Sequence, residues 1–505
     1  MLNWLKPRDK IDDDAVQRGL NMLVFDGVCS QTMGVLTGGA FLVQFALLLG
    51  ASNVVIGLLA AVGPLTQILQ IPAIYLIDGS GMRKAMTVVT AGLGRLFLLL
   101  VAAVPFFAPP NWRIPLFLFG LFMYYGLGAI AGCAWNSWMR DLVPQNIMGV
   151  YFAKRLAIAT AMGAGVTLAA GVGIDIYKAH ATDELAGYSF IFVIGIVAGL
   201  IGLTFLSLTP EPRMAPSKVS GMRAVLAEPF KDQNFRRLLL FMGLWNFAVN
   251  LAAPFFTVYL LKRLGMSMTF VIVLSVLSQA FNVLFFRVWG RLADKHTNKP
   301  VLGVSGFLFI LSIIIWPFTN VPNSYFLTIP LVVVIHILAG ISTAGVAISG
   351  GNIALKLAPY GRATSYLAVN GLVCGAAATI APLVAGLSAD WFETQQASVT
   401  LTWMSGARAF HLPALHLSGL DFLFVFAAIF GFYALHFLIP VKEQGEVEED
   451  LVMSELVAEV RQKIKHVSSV AGLRYLTFFP YERLRDMLRS LVPAGSKPPS
   501  NPNSA

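Results

Sequence analysis

Twelve long apolar runs constrain this chain more than any other feature. They cover 20–49, 53–77, 85–107, 114–137, 156–177, 187–209, 237–261, 267–289, 300–318, 327–354, 364–390 and 419–440. A helix crosses a bilayer in roughly 20 apolar residues. Backbone in lipid must satisfy its own hydrogen bonds, as helix or as closed barrel. The runs are continuous rather than alternating, so they predict helices. Composition agrees: 57% of the 505 residues are hydrophobic and 12% charged, and the mean hydropathy is +0.72. No soluble core hides that much apolar surface. The expected class is an all-α polytopic membrane protein with the lipid bilayer as its solvent. The first 19 residues are charged and lack an apolar core, so the first run is expected to act as an uncleaved insertion signal. Cys29, Cys133 and Cys374 fall inside apolar runs, too far apart for a metal site, and read as small core residues.

The charged residues set the orientation. With the N-terminus placed in the cytoplasm, the even-numbered turns with their flanking ends and both termini hold 30 of the 36 Lys and Arg residues. The odd-numbered turns hold Arg113, Lys178, Lys262, Arg263 and Arg408, and Arg95 lies inside a run. This bias predicts a multi-pass protein of the cytoplasmic (inner) membrane with both termini cytoplasmic. It also accounts for the net charge of +10 without nucleic acid. The expected organisation is a cytoplasmic segment 1–19, a six-helix bundle 20–209, a cytoplasmic loop 210–236, a second bundle 237–440 and a cytoplasmic tail 441–505.

The two bundles repeat one another. A turn GRLADKHTNK at Gly290–Lys299 has an echo, IDGSGMRK, at Ile77–Lys84, with Asp78 and Asp294 in corresponding places. A shift of about 215 residues superposes Leu-Gly-x-Ser at 49–52 on 264–267, Pro144 on Pro359, Tyr151 on Tyr366 and Asp175 on Asp390. The offset spans six helices, an even number, so the two halves run in parallel about an axis along the membrane normal.

Two parallel six-helix halves with a long central loop resemble the major facilitator superfamily. Its charged turn, G-x-L-a-D-r-x-G-r-k, is matched by Gly290, Leu292, Asp294, Lys295 and Lys299, and in part by Asp78, Gly81, Arg83 and Lys84. The stretches 135–155 and 254–265 look like those of uncharacterised bacterial members. The fifth run has the glycines of drug/proton antiporters but lacks their Gly-Pro. The resemblance implies a secondary transporter of a small solute, working by alternating access, with symport to protons as one option and a monomer as the expected state. It implies a cytoplasmic gate at Asp78, Arg83, Lys84, Arg291, Asp294, Lys295 and Lys299. It also implies a cavity lined by helices 1, 4, 7 and 10. Candidate substrate contacts are then Gln31, Asn246 and Asn250, followed by Tyr124, Tyr125, Trp135, Asn136, His336, Ser342 and Thr343.

Other charges are read from their own positions. Asp26 and Arg95 lie inside apolar runs, where a charge needs a partner or water. Asp26 shares a polar stripe with Ser30, Gly34, Thr37 and Gln44 and is read as a proton carrier, as a binder of a cationic group, or as half of a buried pair with Arg95. Arg95 also suits a substrate carboxylate or phosphate. Asp141 and Lys356 are opposite charges at repeat-equivalent positions, either paired across the pseudo-twofold axis or separate. Asp175 and Asp390 are expected as caps or gate contacts at the outer ends of runs 5 and 11. Gln279 and Asn282 are expected to tie helices together. The tail predicts an amphipathic helix carrying Met453, Leu456, Val460, Ile464 and Val467, a basic aromatic segment 474–491 and a disordered end. No phosphate-binding Gly-rich loop, zinc-protease pair or nucleophile elbow occurs. ATP drive, a cofactor, a metal and enzymatic activity are therefore not expected. A membrane sensor with the tail as output is the alternative, and a membrane-embedded enzyme is a weaker one.

Overall fold

A computed structural model describes residues 7–8, 11–144, 147–214, 227, 229–320, 324–359, 363–405, 408–443, 445 and 449–467. Twelve of its helices are long and apolar enough to cross a membrane: Asp13–Leu48, Asn53–Ile77, Arg83–Phe107, Pro110–Leu142, Lys154–His180 and Glu184–Leu208, then Gln233–Arg263, Met268–His296, Asn298–Thr319, Thr328–Leu357, Tyr366–Phe392 and Leu420–Leu438. They are numbered here as spans 1 to 12, and each coincides with one apolar run.

The chain forms two pseudo-symmetric six-helix halves in parallel. Within the first half, span 1 packs on span 6 and span 3 on span 4. Within the second, span 7 packs on span 12 and span 9 on span 10. The main contacts between halves are span 2 on span 11 and span 5 on span 8. Spans 2 and 11 cross almost backbone to backbone. A Cβ on Gly57 would lie 2.2 Å from the Pro382 carbonyl oxygen, and one on Gly386 would lie 2.7 Å from that of Asn53. The basic turns share one end of the bundle, called here the basic end.

The repeated Leu-Gly-x-Ser turns lie at the far end. Gly50 and Gly265 adopt positive φ, 88° and 62°, and so turn the chain out of spans 1 and 7. The next serine but one caps the following span. Ser52 Oγ accepts from the Val55 amide at 3.4 Å and Ser267 Oγ from the Phe270 amide at 3.3 Å.

Span 1 is broken in mid-course. It runs as Asp13–Leu36 and Gly39–Leu48. Thr37 Oγ1 donates to the Met33 carbonyl at 2.8 Å, and Gly39 takes φ +53°. Between spans 11 and 12 lies an antiparallel hairpin, β1 Gln396–Ser405 and β2 Arg408–Ser418, with an irregularity between Val399 and Thr400. The alternating Val399, Leu401 and Trp403 carried that signal, but in sequence the segment reads only as a turn.

The chain separates into a compact unit 1–446 and a second unit 447–505. The second contains the expected amphipathic helix, over Glu449–Val467. The basic aromatic segment and the C-terminal end lie outside the described residues.

Candidate functional site

A cavity of about 940 Å3 lies between the halves, walled by spans 1, 5 and 8. Its polar lining is Gln31, Thr160, Thr167, Ser275 and Gln279, set among Val35, Ala164, Val276 and Leu284. Gly34, Gly38 and Gly39 also line it, so the break in span 1 borders the cavity. Interrupted helices at mid-membrane are a recurrent site-building device. The exposure of its lining is uneven. At the far end the lining residues Phe41 and Ile272 are 1% and 2% exposed, whereas toward the basic end Leu156 and Leu284 are 63% and 51% exposed.

Two aspartates join the halves at the far end. Asp175, from span 5, accepts from the Met268 and Thr269 amides at 3.2 and 2.9 Å. Asp390, from span 11, accepts from the Asn53 and Val54 amides at 3.1 and 3.4 Å. Each carboxylate therefore sits on the N-terminus of a span in the opposite half. It satisfies orphan amides beside the serine cap and meets the positive end of the helix dipole. These are the caps expected of the two residues.

A second charged assembly recurs at the basic end, within each half. Arg83 is fully buried and pairs with Asp141, and its Nε lies 3.2 Å from Glu211. Its guanidinium also donates to the Ser137 carbonyl at 3.0 Å and the Pro212 carbonyl at 2.7 Å. Glu211 accepts from the Arg83 and Lys84 amides at the start of span 3, at 2.8 and 3.2 Å. Burial pushes the Glu211 carboxyl up, against the opposing pull of these amides and the Arg83 guanidinium. In the second half, Glu443 accepts from the Asn298 and Lys299 amides at 2.9 and 2.7 Å, and Lys356 Nζ lies 3.5 Å from it. Asn298 stands where Arg83 stands in the repeat, and Lys356 where Asp141 stands. The anchoring carboxylate is kept while the cation moves from one helix end to another.

Of the two alternatives for Asp141 and Lys356, the separate one holds. Asp141 and Lys356 do not pair across the axis; each has a partner nearby within its own half, Arg83 and Glu443. Arg83 fastens spans 3 and 4 to the segment after span 6. Arg291 and Lys295 lie near the basic end of span 8 and Lys299 at the start of span 9, and all three carry interactions of their own. Asp294 is exposed, and among the described residues no hydrogen bond or ion pair of its side chain occurs. The Asp78 side chain lies outside the described residues.

The buried pair also differs from expectation. Asp26 Oδ2 lies 3.2 Å from Arg155 Nη2, and Ser30 donates to Oδ1 at 3.2 Å. Arg155 further donates to the Leu23 carbonyl at 2.9 Å, and its guanidinium lies 5.2 Å from the Trp135 ring centroid. Tyr151 donates to the Leu20 carbonyl at 2.7 Å, so span 5 grips the basic-end half of span 1 at two points. Arg95 is 5% exposed, and among the described residues its buried Nη1 has no hydrogen-bond partner. Arg155 takes its place: from the start of span 5 it reaches the Asp26 carboxylate, while Arg95 approaches from span 3.

Arg95 lines a separate cavity of about 200 Å3 with Tyr124, Tyr125, Gln67 and Met33. Tyr125 also borders a void of about 320 Å3 that reaches Gly39 and Pro254 of span 7. Gly39 in turn borders the central cavity.

The remaining sequence candidates divide. Gln31 lines the central cavity, and Tyr124 and Tyr125 line the Arg95 cavity. Asn246 and Asn250 are half-buried, and their amides donate back to the Met242 and Asn246 carbonyls at 2.9 and 2.8 Å. Trp135 packs beneath Arg155, and Asn136 is exposed. His336 bonds the Val332 carbonyl and stacks edge-on against Trp316. Ser342 is fully buried and bonds its own helix. Thr343 accepts from Asn282 at 2.9 Å, tying span 10 to span 8, as expected of Asn282; Gln279 faces the cavity instead. Sequence reasoning missed Arg155, Glu211 and Glu443. The last two share one signal, a glutamate within three residues of a proline just past the sixth and twelfth spans.

The sequence profile described as Major Facilitator Superfamily matches residues 27–382 and 247–450. No curated protein sequence gives a significant match. Solved structures of similar fold include the nucleoside transporter NupG, with a TM-score of 0.62 at 14% identity over 84% of this chain and 98% of that one. A bacterial homologue of the iron transporter ferroportin, in its inward-facing state, gives 0.60 at 14% over 85% and 99%. A D-xylose-proton symporter gives 0.60 at 13% over 86% and 99%. At these identities the likeness shows the fold alone. With two parallel six-helix halves around one cavity and a family profile matched along most of its length, the chain belongs to the Major Facilitator Superfamily.

Proposed function

We propose that this membrane transporter is a secondary carrier that moves a small solute across the cytoplasmic membrane by alternating access, as a monomer. The two halves, 20–209 and 237–440, rock as bodies about the central cavity. Both termini are cytoplasmic, which the basic bias supports, so the basic end is the inner face and the conformation is inward-facing. One observation carries the reading. The halves are joined at the far end through Asp175 and Asp390, and the cavity lining is most exposed toward the basic end at Leu156 and Leu284. The contacts that make each half rigid, through Glu211 and Glu443, stay within that half. A carrier of this kind needs both properties: stiff halves and a breakable contact between them.

Proton coupling through Asp26 belongs to the same proposal. Its partners Arg155 and Ser30 make protonation a change in how span 1 is held by span 5. The test is transport in proteoliposomes with and without an imposed pH gradient. Uptake that responds to the gradient in wild type but not in Asp26→Asn is expected. Gradient-driven accumulation retained by Asp26→Asn removes the coupling role. Failure of any solute panel to exchange across the vesicle membrane removes the carrier reading.

A further inference from the structure

We infer that the cavity around Arg95 binds the anionic group of the solute, and that the solute is a small organic monoanion. This assignment rests on the carrier reading above. Four observations support it.

Arg95 sits midway along span 3, is almost wholly buried, and presents an Nη1 with no hydrogen-bond partner among the described residues. An unneutralised charge at that depth is costly. The buried cluster contains two guanidiniums, Arg95 and Arg155, and one carboxylate, Asp26, already engaged by Arg155 and Ser30. Its formal surplus is one positive charge, which one anionic group cancels.

The cavity fits an organic anion. Its walls carry Tyr124, Tyr125, Gln67 and Met33 around about 200 Å3, and the tyrosine rings lie 5.1 Å apart. A planar guanidinium suits a carboxylate, while the rings and the thioether suit an apolar body. The cavity also neighbours the central one through an intervening void. Tyr125 forms a wall shared with the void that borders Pro254, and that void shares Gly39 with the central cavity. The anionic end of the solute then lies beside Arg95, with its body toward that void. A proton on Asp26 raises the surplus charge, so protonation and anion binding reinforce one another.

The probes are benzoate, acetate and inorganic phosphate, with benzamide as the uncharged match for benzoate. Binding to the purified full-length protein is followed by thermal unfolding and equilibrium dialysis at constant ionic strength. Benzoate is expected to raise the unfolding midpoint and benzamide is not. Arg95→Gln is expected to weaken benzoate at least tenfold, Arg95→Lys to keep part of the binding, and Asp26→Asn to tighten it. If Arg95→Gln does not fold, Gln67→Leu and Tyr125→Ala test the opposite wall without touching the charges, and each is expected to weaken benzoate. The inference is overturned if none of the three anions binds, or if benzoate binds equally with Arg95→Gln, or equally with both wall variants. A solute moved in proteoliposomes but unaffected by Arg95→Gln leaves the carrier reading intact and removes this one. Anion binding without movement of any solute does the reverse.

Discussion

Replacing Asp175 and Asp390 by Asn should open the far end of the cavity. Each carboxylate accepts two backbone amides at the N-terminus of a span in the other half. A carboxylate at a helix N-terminus contributes about 0.3–1 kcal/mol when exposed and up to about 2 kcal/mol when partly buried. Asn keeps one acceptor oxygen but loses the charge, so about 1–1.5 kcal/mol per site is a reasonable loss. Both sites together weaken the closed state by about 2–3 kcal/mol, a shift of roughly 30- to 150-fold in the equilibrium. The assay is a spin-label distance between cysteines at Trp112 and Phe326. These are 60% and 84% exposed and lie at the far end of opposite halves. Cys29, Cys133 and Cys374 are first replaced. A longer-distance population should grow from wild type to each single variant to the double variant. A double variant with the wild-type distribution refutes the clasp.

Three further predictions follow from neighbouring geometry. Gly57→Leu places a side chain where the Pro382 carbonyl oxygen lies 2.2 Å from the Cβ position; it should lengthen the same distance in folded protein, and an unchanged distance contradicts the crossing. Arg155→Ala leaves the buried Asp26 carboxylate without its ion-pair partner, a loss of about 3 kcal/mol or more in comparable buried pairs. Its unfolding temperature should fall and partly recover on adding Asp26→Ala; no recovery argues against the pair. Glu211 sets a pH dependence. Burial holds its carboxyl above the ordinary 4.5, so the folded chain keeps a proton that the unfolded chain has released. Its contribution to stability is present below 4.5 and is lost as pH rises through the raised value. The stability of wild type relative to Glu211→Gln should therefore fall with rising pH across that window, and a rise contradicts the burial argument.

Most of the fold was legible because membrane helices announce themselves by length and apolarity. The repeat was legible because it rests on residues that terminate helices. Leu-Gly-x-Ser recurs since two spans need the same positive-φ turn and the same serine cap. The aspartates that complete those caps were visible for the same reason, but their partners were not. Asp175 and Asp390 act on amides that lie 93 and 337 residues away in sequence, and no local pattern encodes such a pairing. The Arg83–Asp141–Glu211 assembly was hidden for a related cause. Opposite charges at repeat-equivalent positions suit either a pair across the axis or separate roles, and only packing shows that each has a partner on a neighbouring helix end. Arg155 escaped notice because it begins span 5 and counts as a turn residue in hydropathy. Only packing shows that it reaches Asp26. The cavity lining from spans 5 and 8, Thr160, Thr167, Ser275 and Gln279, is carried by small polar residues that in sequence look like ordinary helix contacts.

The central claim is that one cavity faces the two sides of the membrane in turn. Its most direct test is side-specific labelling of a single cysteine at Gln279, which lines the cavity. The protein is reconstituted in oriented vesicles and exposed to a membrane-impermeant maleimide. Labelling from the basic-end side should be fast in wild type and slower from the far side. In the Asp175→Asn, Asp390→Asn variant, far-side labelling should rise at least tenfold while basic-side labelling falls. Labelling confined to one side in both proteins, or far-side labelling that rises with no loss at the basic side, would contradict alternating access.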